Sequence, residues 1–436
     1  MRGLLVFFAL AFALTSCDRV RIDDVGPRLL STFPDLTEVQ TSPELDLELR
    51  PPPSDGALTL RLNDEVVPFD STLQSFVYST TLIRGVNRFL VELADATGEV
   101  QRDTLYALHL IPRNDPVLPQ NEGIARVDAA IGLLSDGSAV FAGGTGPGNR
   151  ALSNATIIEP SQTQFVRRDI GLQIARTGHT ATSISRGFNR GVLLLGGTES
   201  RDPGGSFVSR GELVQIDGST QVVEVEGGVE RTGHTAFSVR FDGETYLYLH
   251  GGRIPSGSGA EVSGTVDVYR VNDPQEGDLS LTRLSPRGGS GAFDPITDHV
   301  QVPVSRTAVA YLGIGGDGAF ANRFLWTLPG TGLFPYSLVD EPASRLRTTR
   351  TRAASAQFTS DLSLVLGGQD RDGRALGSIE VYAAEADRTF RFPGSVQLQV
   401  PRSDHVATIL GTGRIMIGGG LSASGTALVA LESISL

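Results

Sequence analysis

Six arginines are the first side chains whose spacing could do chemistry. Arg126, Arg176, Arg231, Arg287, Arg352 and Arg402 recur at similar intervals, usually with His, Ser or Ala three positions later. A guanidinium offers a planar fork of N–H donors that suits a carboxylate or a phosphate. Six of them around one opening would hold an acidic peptide or glycan. Alternatively, each arginine ties its segment to the next through backbone carbonyls or an aspartate, and then serves the framework. The sequence leaves both open. His179, His234 and His405 share one position of the same spacing, which raises a ring of imidazole metal ligands. Metal donors must converge to about 2.1 Å, whereas equivalent positions in successive units are rotated apart, so these histidines read as framework and no metal is assigned. His109, His250 and His299 complete the set. Asp370-Arg371-Asp372-Gly373 begins like a calcium loop but lacks the further ligands and the terminal Glu, and reads as a polar hairpin tip.

All 37 basic residues are Arg and none is Lys, against 49 acidic residues and a net charge of -12. Schiff-base chemistry, a phosphate-loop lysine and lysine general bases are thereby excluded. The negative balance argues against a sequence-independent grip on nucleic acid, which needs a positive field. No G-x-S-x-G elbow is present. No catalytic residue and no cofactor is assigned. Cys17 is the sole cysteine, so no disulfide can form within one molecule and the fold must rest on its core.

Met1 and Arg2 precede an unbroken apolar run from Leu4 to Leu14. The run is too short to span a bilayer and fits a signal-peptide core. Leu14-Thr15-Ser16-Cys17 resembles the lipobox of bacterial lipoproteins, which implies removal of residues 1–16 and lipidation of Cys17. Several acyl chains would then hold the protein on a membrane of the bacterial cell envelope, periplasmic or surface-exposed. Residues 17–42 read as a lipidated tether.

Residues 43–112 carry short alternating strands. Leu45, Leu47 and Leu49 share one face and Glu44, Asp46 and Glu48 the other. Leu58, Leu60 and Leu62 repeat the pattern before an Asn63-Asp64 turn, and further strands are expected near 76–78, 89–93 and 104–110. The stretch from Leu82 to Gly98 resembles bacterial immunoglobulin-like or fibronectin-like domains, which implies a small β-sandwich.

From 113 to 436 the chain repeats. Gly pairs close apolar strands at Gly143-Gly144, Gly196-Gly197, Gly251-Gly252, Gly315-Gly316, Gly367-Gly368 and Gly418-Gly419, with an arginine upstream of each. The stretches RTGHTATSISRGFNRGVLLLGG from Arg176, RTGHTAFSVRFDGETYLYLHGG from Arg231 and PRSDHVATILGTGRIMIGGG from Pro401 resemble kelch repeats. The period of about 50 residues agrees. The resemblance implies an all-β chain, with a six-bladed kelch-type β-propeller following the small immunoglobulin-like β-sandwich. The last unit runs out of sequence after Leu436, so residues near Pro116 to Gln120 are expected to complete it. A sandwich followed by such a propeller is similar to galactose oxidase, yet that chemistry needs a cysteine beside copper and the lone cysteine lies at the lipid site. Sialidase boxes are absent. The expected function is therefore an envelope lipoprotein that binds an envelope protein or glycan, or scaffolds, through its propeller. A carbohydrate-active enzyme is the alternative.

Overall fold

The computed structural model describes residues 36–51, 57–114, 125–159, 166–186, 189–202, 204–257, 259–273, 278–285, 295–305, 308–312, 323–327, 336–340 and 346–436. Strands and one short 3-10 turn, Pro147–Asn149, make up their regular structure. The chain divides into two compact units, one built on 46–79 and 89–105, the other on 35–45, 80–88 and 106–436. Cys17, its lipobox and most of the expected tether lie outside the described residues.

Strands of the N-terminal part of the chain form two sheets. Glu44–Leu49, Ser75–Thr81 and Phe69–Asp70 form one, while Glu65–Val67, Thr59–Leu62, Gly85–Ala94 and Val100–His109 form the other. The alternation in Glu44–Leu49 is realised as written, with the three leucines buried and the acidic residues exposed. Asn63 and Asp64 both take positive φ, 47° and 68°, the geometry a two-residue hairpin needs to match strand twist. Phe69 and Phe76 meet edge to face at 5.1 Å.

The larger unit is a succession of four-stranded antiparallel sheets, here A to F. Sheet A holds Ala130–Leu133, Ala139–Ala142, Leu152–Glu159 and Val166–Arg176; B holds Thr180–Arg186, Asn189–Leu195, Gly211–Gln215 and Thr220–Val225. C holds Thr235–Phe241, Glu244–His250, Val266–Asn272 and Ser280–Arg283, and its outer strand pairs in parallel with that of B through Glu224↔Ser280 and Val225↔Leu281. D comprises Val300–Ser305, Ala308–Leu312, Arg323–Thr327 and Tyr336–Asp340; E comprises Ala354–Gln357, Leu362–Leu366, Ile379–Ala383 and Arg388–Arg391. F is built from Val406–Ile409, Ile415–Gly418, Glu432–Ser435 and, from far earlier in the chain, Arg113–Asn114.

Second strands such as Ala139–Ala142, Leu362–Leu366 and Ile415–Gly418 are buried throughout. A run with no polar face is covered on both sides, and here neighbouring sheets supply the cover. Val140 and Ile157 of A pack with Val192 and Val214 of B, and Leu193 and Leu213 of B with Leu247 and Tyr269 of C. Val268 of C meets Val309 of D, Val302 of D meets Tyr382 of E, and Leu364 of E meets Ile417 of F. Phe141 of A packs with Met416 of F, so the succession returns on itself. The segment that completes F is Arg113–Asn114, a few residues before the expected place, through Asn114↔Ile434 and Arg113↔Ser435. Residues 116–120 lie outside the described residues.

Candidate functional site

The repeat arginines are fixed inside the sheets. Arg126, Arg176, Arg231 and Arg402 have at most 1% of their surface exposed. Each guanidinium reaches the carbonyl of the first glycine in its own pair: Gly143, Gly196, Gly251 and Gly419, at 3.2, 3.2, 2.7 and 3.1 Å. A third-strand side chain stands beside each guanidinium. Arg231 Nε is 2.7 Å from Asp267, Arg402 pairs with Glu432, Arg176 lies 3.9 Å from Glu212, and Arg126 uses Thr156 at 3.3 Å. The buried acid also accepts two backbone N–H groups just upstream of the arginine, as Glu380 does from Arg347 and Thr348 at 2.7 and 2.8 Å. At the first joint these contacts cross between sheets: Arg176, Gln173 and Ile174 lie on the outer strand of A and reach Gly196 O and Glu212 of B.

In sheet E this place belongs to Arg350, fully buried, with Gly367 O at 2.8 Å and Glu380 at 2.7 Å. Arg352, the residue expected there, stands two positions on and does something else. Arg287 lies outside the described residues. Arg126, Arg176, Arg231 and Arg402 are buried and do not line the pocket at the mouth, which corrects the expectation that these repeat arginines would capture a ligand.

The glycine pairs and the histidines form the joint between neighbouring sheets. The second glycine donates to the carbonyl that opens the next sheet: Gly144 to Arg176 O at 2.9 Å, Gly197 to Arg231 O at 2.7 Å, Gly368 to Arg402 O at 2.8 Å and Gly420 to Arg126 O at 2.8 Å. The final pair is thus Gly419-Gly420, one residue later than expected. A Cβ on Gly367, already at φ +57°, would stand 2.6 Å from Arg402 O and 2.8 Å from the His405 ring. The rings of His179, His234 and His299 press equally on Gly143, Gly196 and Gly251. His299 therefore joins the three histidines read from the sequence. Where Ala129 replaces the histidine, Phe141 fills the space against Gly419. Burial, then the nearby arginine, pulls His234 and His405 down to about 3 and His179 well below the ordinary range, so all three rings are neutral at pH 7.

Between each arginine position and its histidine position sits one further repeat site, held by Asp128, Gly178, Gly233, Asp298, Arg352 and Asp404. All six have positive φ, 53° to 65°, where Gly is at ease and Asp is tolerated. Their backbones form a closed cycle. Asp128 N–H donates to Asp404 O at 3.2 Å, Gly178 to Asp128 at 2.9 Å, Gly233 to Gly178 at 2.8 Å, Asp298 to Gly233 at 3.1 Å, Arg352 to Asp298 at 2.9 Å and Asp404 to Arg352 at 3.0 Å.

This cycle surrounds the mouth of a pocket of about 680 Å³. Arg201, from the connection between the second and third strands of B, reaches over it to Asp128 at 2.8 Å and Asp404 at 3.3 Å. Arg352 Nη1 lies 3.6 Å from Asp404, and its Nε lies 4.0 Å from Asp298. Arg253 and Pro255, on the hairpin Arg253–Ser256 and Gly259–Val262, line one wall. Below the mouth, a throat of about 170 Å³ is lined by the same ring and by His179, His234, His299 and His405. Burial and the facing Asp404 push the Asp128 carboxyl up to about 8, against the pull of Arg201. Burial raises Asp298 as well.

Asp370 accepts the N–H groups of Asp372 and Arg374 at 2.9 and 2.8 Å, the turn expected of a polar hairpin tip. The three mouth aspartates lie at a repeat position that carries neither the Arg nor the His of the repeat. The signal was the residue between them, which is Gly, Asp or Arg in every unit.

No family model matches the chain, and no curated protein matches it. Among solved structures, that of YjhT, a kelch-type β-propeller protein, is similar to this chain, with a TM-score of 0.51 and 12% identity over 73% of this chain and 97% of that one. Likeness at that identity speaks for the fold alone. The larger unit is a β-propeller.

Proposed function

We propose that the protein is an envelope lipoprotein, lipidated at Cys17, that uses a six-bladed kelch-type propeller to bind an envelope protein or glycan. In this reading an immunoglobulin-like spacer stands between tether and propeller. The backbone cycle through Asp128, Gly178, Gly233, Asp298, Arg352 and Asp404 supports six blades, one residue from each. The observation that carries the binding role is the pocket at the mouth, of about 680 Å³ and rimmed by side chains of both charges. Its size falls in the range of about 300–1,000 Å³ usual for small-molecule sites. The anchor rests on the apolar run and lipobox alone. Affinity capture from membranes with the lipidated protein tests the reading. A reproducibly retained envelope protein or glycan supports it, and an empty capture contradicts it.

One arrangement favours the carbohydrate-active alternative: Asp128, which burial and Asp404 push up to about 8, stands beside Asp404 in the pocket, and two neighbouring carboxyl groups of unequal acidity can serve as an acid–base pair. Turnover of a glycan panel, abolished by Asp128→Asn, would establish it.

A further inference from the structure

The mouth has a latched half and an open half. On the latched side Arg201 holds Asp128 and Asp404 together at 2.8 and 3.3 Å. On the open side Asp298 and Arg352 keep side chains 31% and 36% exposed, 4.0 Å apart, beyond hydrogen-bond reach of each other. Neither the Asp298 carboxyl group nor the Arg352 guanidinium makes a hydrogen bond among the described residues. On the latched side, next to Asp128, His179 is 6% exposed and neither ring nitrogen has a hydrogen-bond partner among the described residues. The reason is local: Thr180 and Thr235 supply hydroxyls to His234 and His299 at 3.3 and 3.0 Å, whereas the corresponding residue for His179 is Ala130. His179 lines the throat that continues from the mouth. The open half thus offers an acceptor and a donor fork whose only neighbours of opposite charge lie at 3.6 to 4.0 Å.

Charge decides which partner. Asp128, Asp202, Asp298 and Asp404 face Arg201, Arg253 and Arg352 around the pocket. Four carboxyl groups face three guanidinium groups, so neither sign is in clear excess. Arg352 already has carboxylates at 3.6 and 4.0 Å, and an incoming anion would meet the same two groups at close range, where like charges repel strongly. A hydroxyl avoids this conflict, because it donates to a carboxylate and accepts from a guanidinium without bringing charge. Phe207, half-buried on the rim, adds an apolar surface.

We propose that the Asp298–Arg352 side of the mouth takes an uncharged, hydroxyl-rich ligand, the end of a neutral saccharide, whose hydroxyls donate to Asp298 and accept from Arg352. The proposal rests on the binding reading above and names its ligand class. It replaces the acidic ligand that the arginine spacing suggested.

Titration calorimetry of the full chain tests it, using neutral oligosaccharides ending in glucose, galactose, mannose or N-acetylglucosamine, their uronic-acid-terminated counterparts, and an acidic peptide. At least one neutral saccharide should bind at least about tenfold more tightly than its uronic counterpart. Asp298→Asn and Arg352→Gln should each weaken that binding about tenfold, the worth of one charge-assisted hydrogen bond, with unchanged melting temperature. Tighter binding of the acidic probes, absence of any saccharide binding, or neutral binding indifferent to both substitutions overturns the ligand class. The broader binding reading then stands or falls separately, on whether the lipidated protein still retains a partner from membranes.

Discussion

Arg350 is fully buried with Gly367 O, Ser378 O and Glu380 within 2.9 Å, while Arg352, two positions on, stands at the mouth with a third of its side chain exposed. The spacing rule chose Arg352 because Arg-Thr-Arg offers two candidates and only the contacts separate them. Aligning on the residue after the arginine, Thr or Ser in RTGH, RTRA and RSDH, would have chosen Arg350. Arg350→Ala should lower stability by about 3–5 kcal/mol, since it strands a buried Glu380. Arg352→Ala, at a partly exposed pair, should cost less than about 1 kcal/mol. Urea unfolding of both variants measures the contrast.

Proton linkage adds a second expectation at this scale. His179, His234 and His405 are held neutral in the fold, so below about pH 6.5 the unfolded chain binds protons that the folded chain refuses, and stability falls with acid. Asp128 has the opposite sign. Between its ordinary 3.8 and about 8 the folded chain keeps a proton that the unfolded chain releases, so its contribution declines as pH rises through that window. Asp128→Asn should remove the decline of the denaturation midpoint up to about pH 8 and make its rise from acid toward pH 6.5 steeper. An alkaline slope unchanged from wild type would contradict this.

At the scale of elements, the strands were legible because their patterns are local. Alternating leucines gave Glu44–Leu49 and apolar runs gave the second strands, each matching its burial. The closing strand was not legible in place. Arg113–Asn114 has no periodicity of its own and is a strand because Glu432–Ser435 presents it an open edge. The last glycine pair slipped by one because Gly418, Gly419 and Gly420 are consecutive, and only φ of +68° and +88° marks the latter two. Deleting Ala427 to Leu436 removes the third strand of F together with the template for Arg113–Asn114. It should expose edges on both sides of the joint and destabilise the whole ring. A melt that stays cooperative at the wild-type temperature would defeat the closure by a shared sheet.

At the scale of the molecule, the arginines, glycines and histidines that set the repeat belong almost wholly to the framework, and the ligand-facing groups occupy a repeat position held by Gly, Asp or Arg. That is why the ring could be read and its occupant could not. The framework repeats in every unit, whereas the mouth draws three aspartates, an arginine and two glycines from positions far apart in sequence and adds Arg201 and Arg253 from single connections. The most direct measurement is paired affinity capture from native membranes, comparing the lipidated wild-type protein with the Asp298→Asn/Arg352→Gln double variant, both shown to be folded by their melts. The expected result is an envelope glycan, or a protein bearing one, retained by the wild type and lost by the variant. Equal retention by both would place binding elsewhere and contradict the account of the mouth.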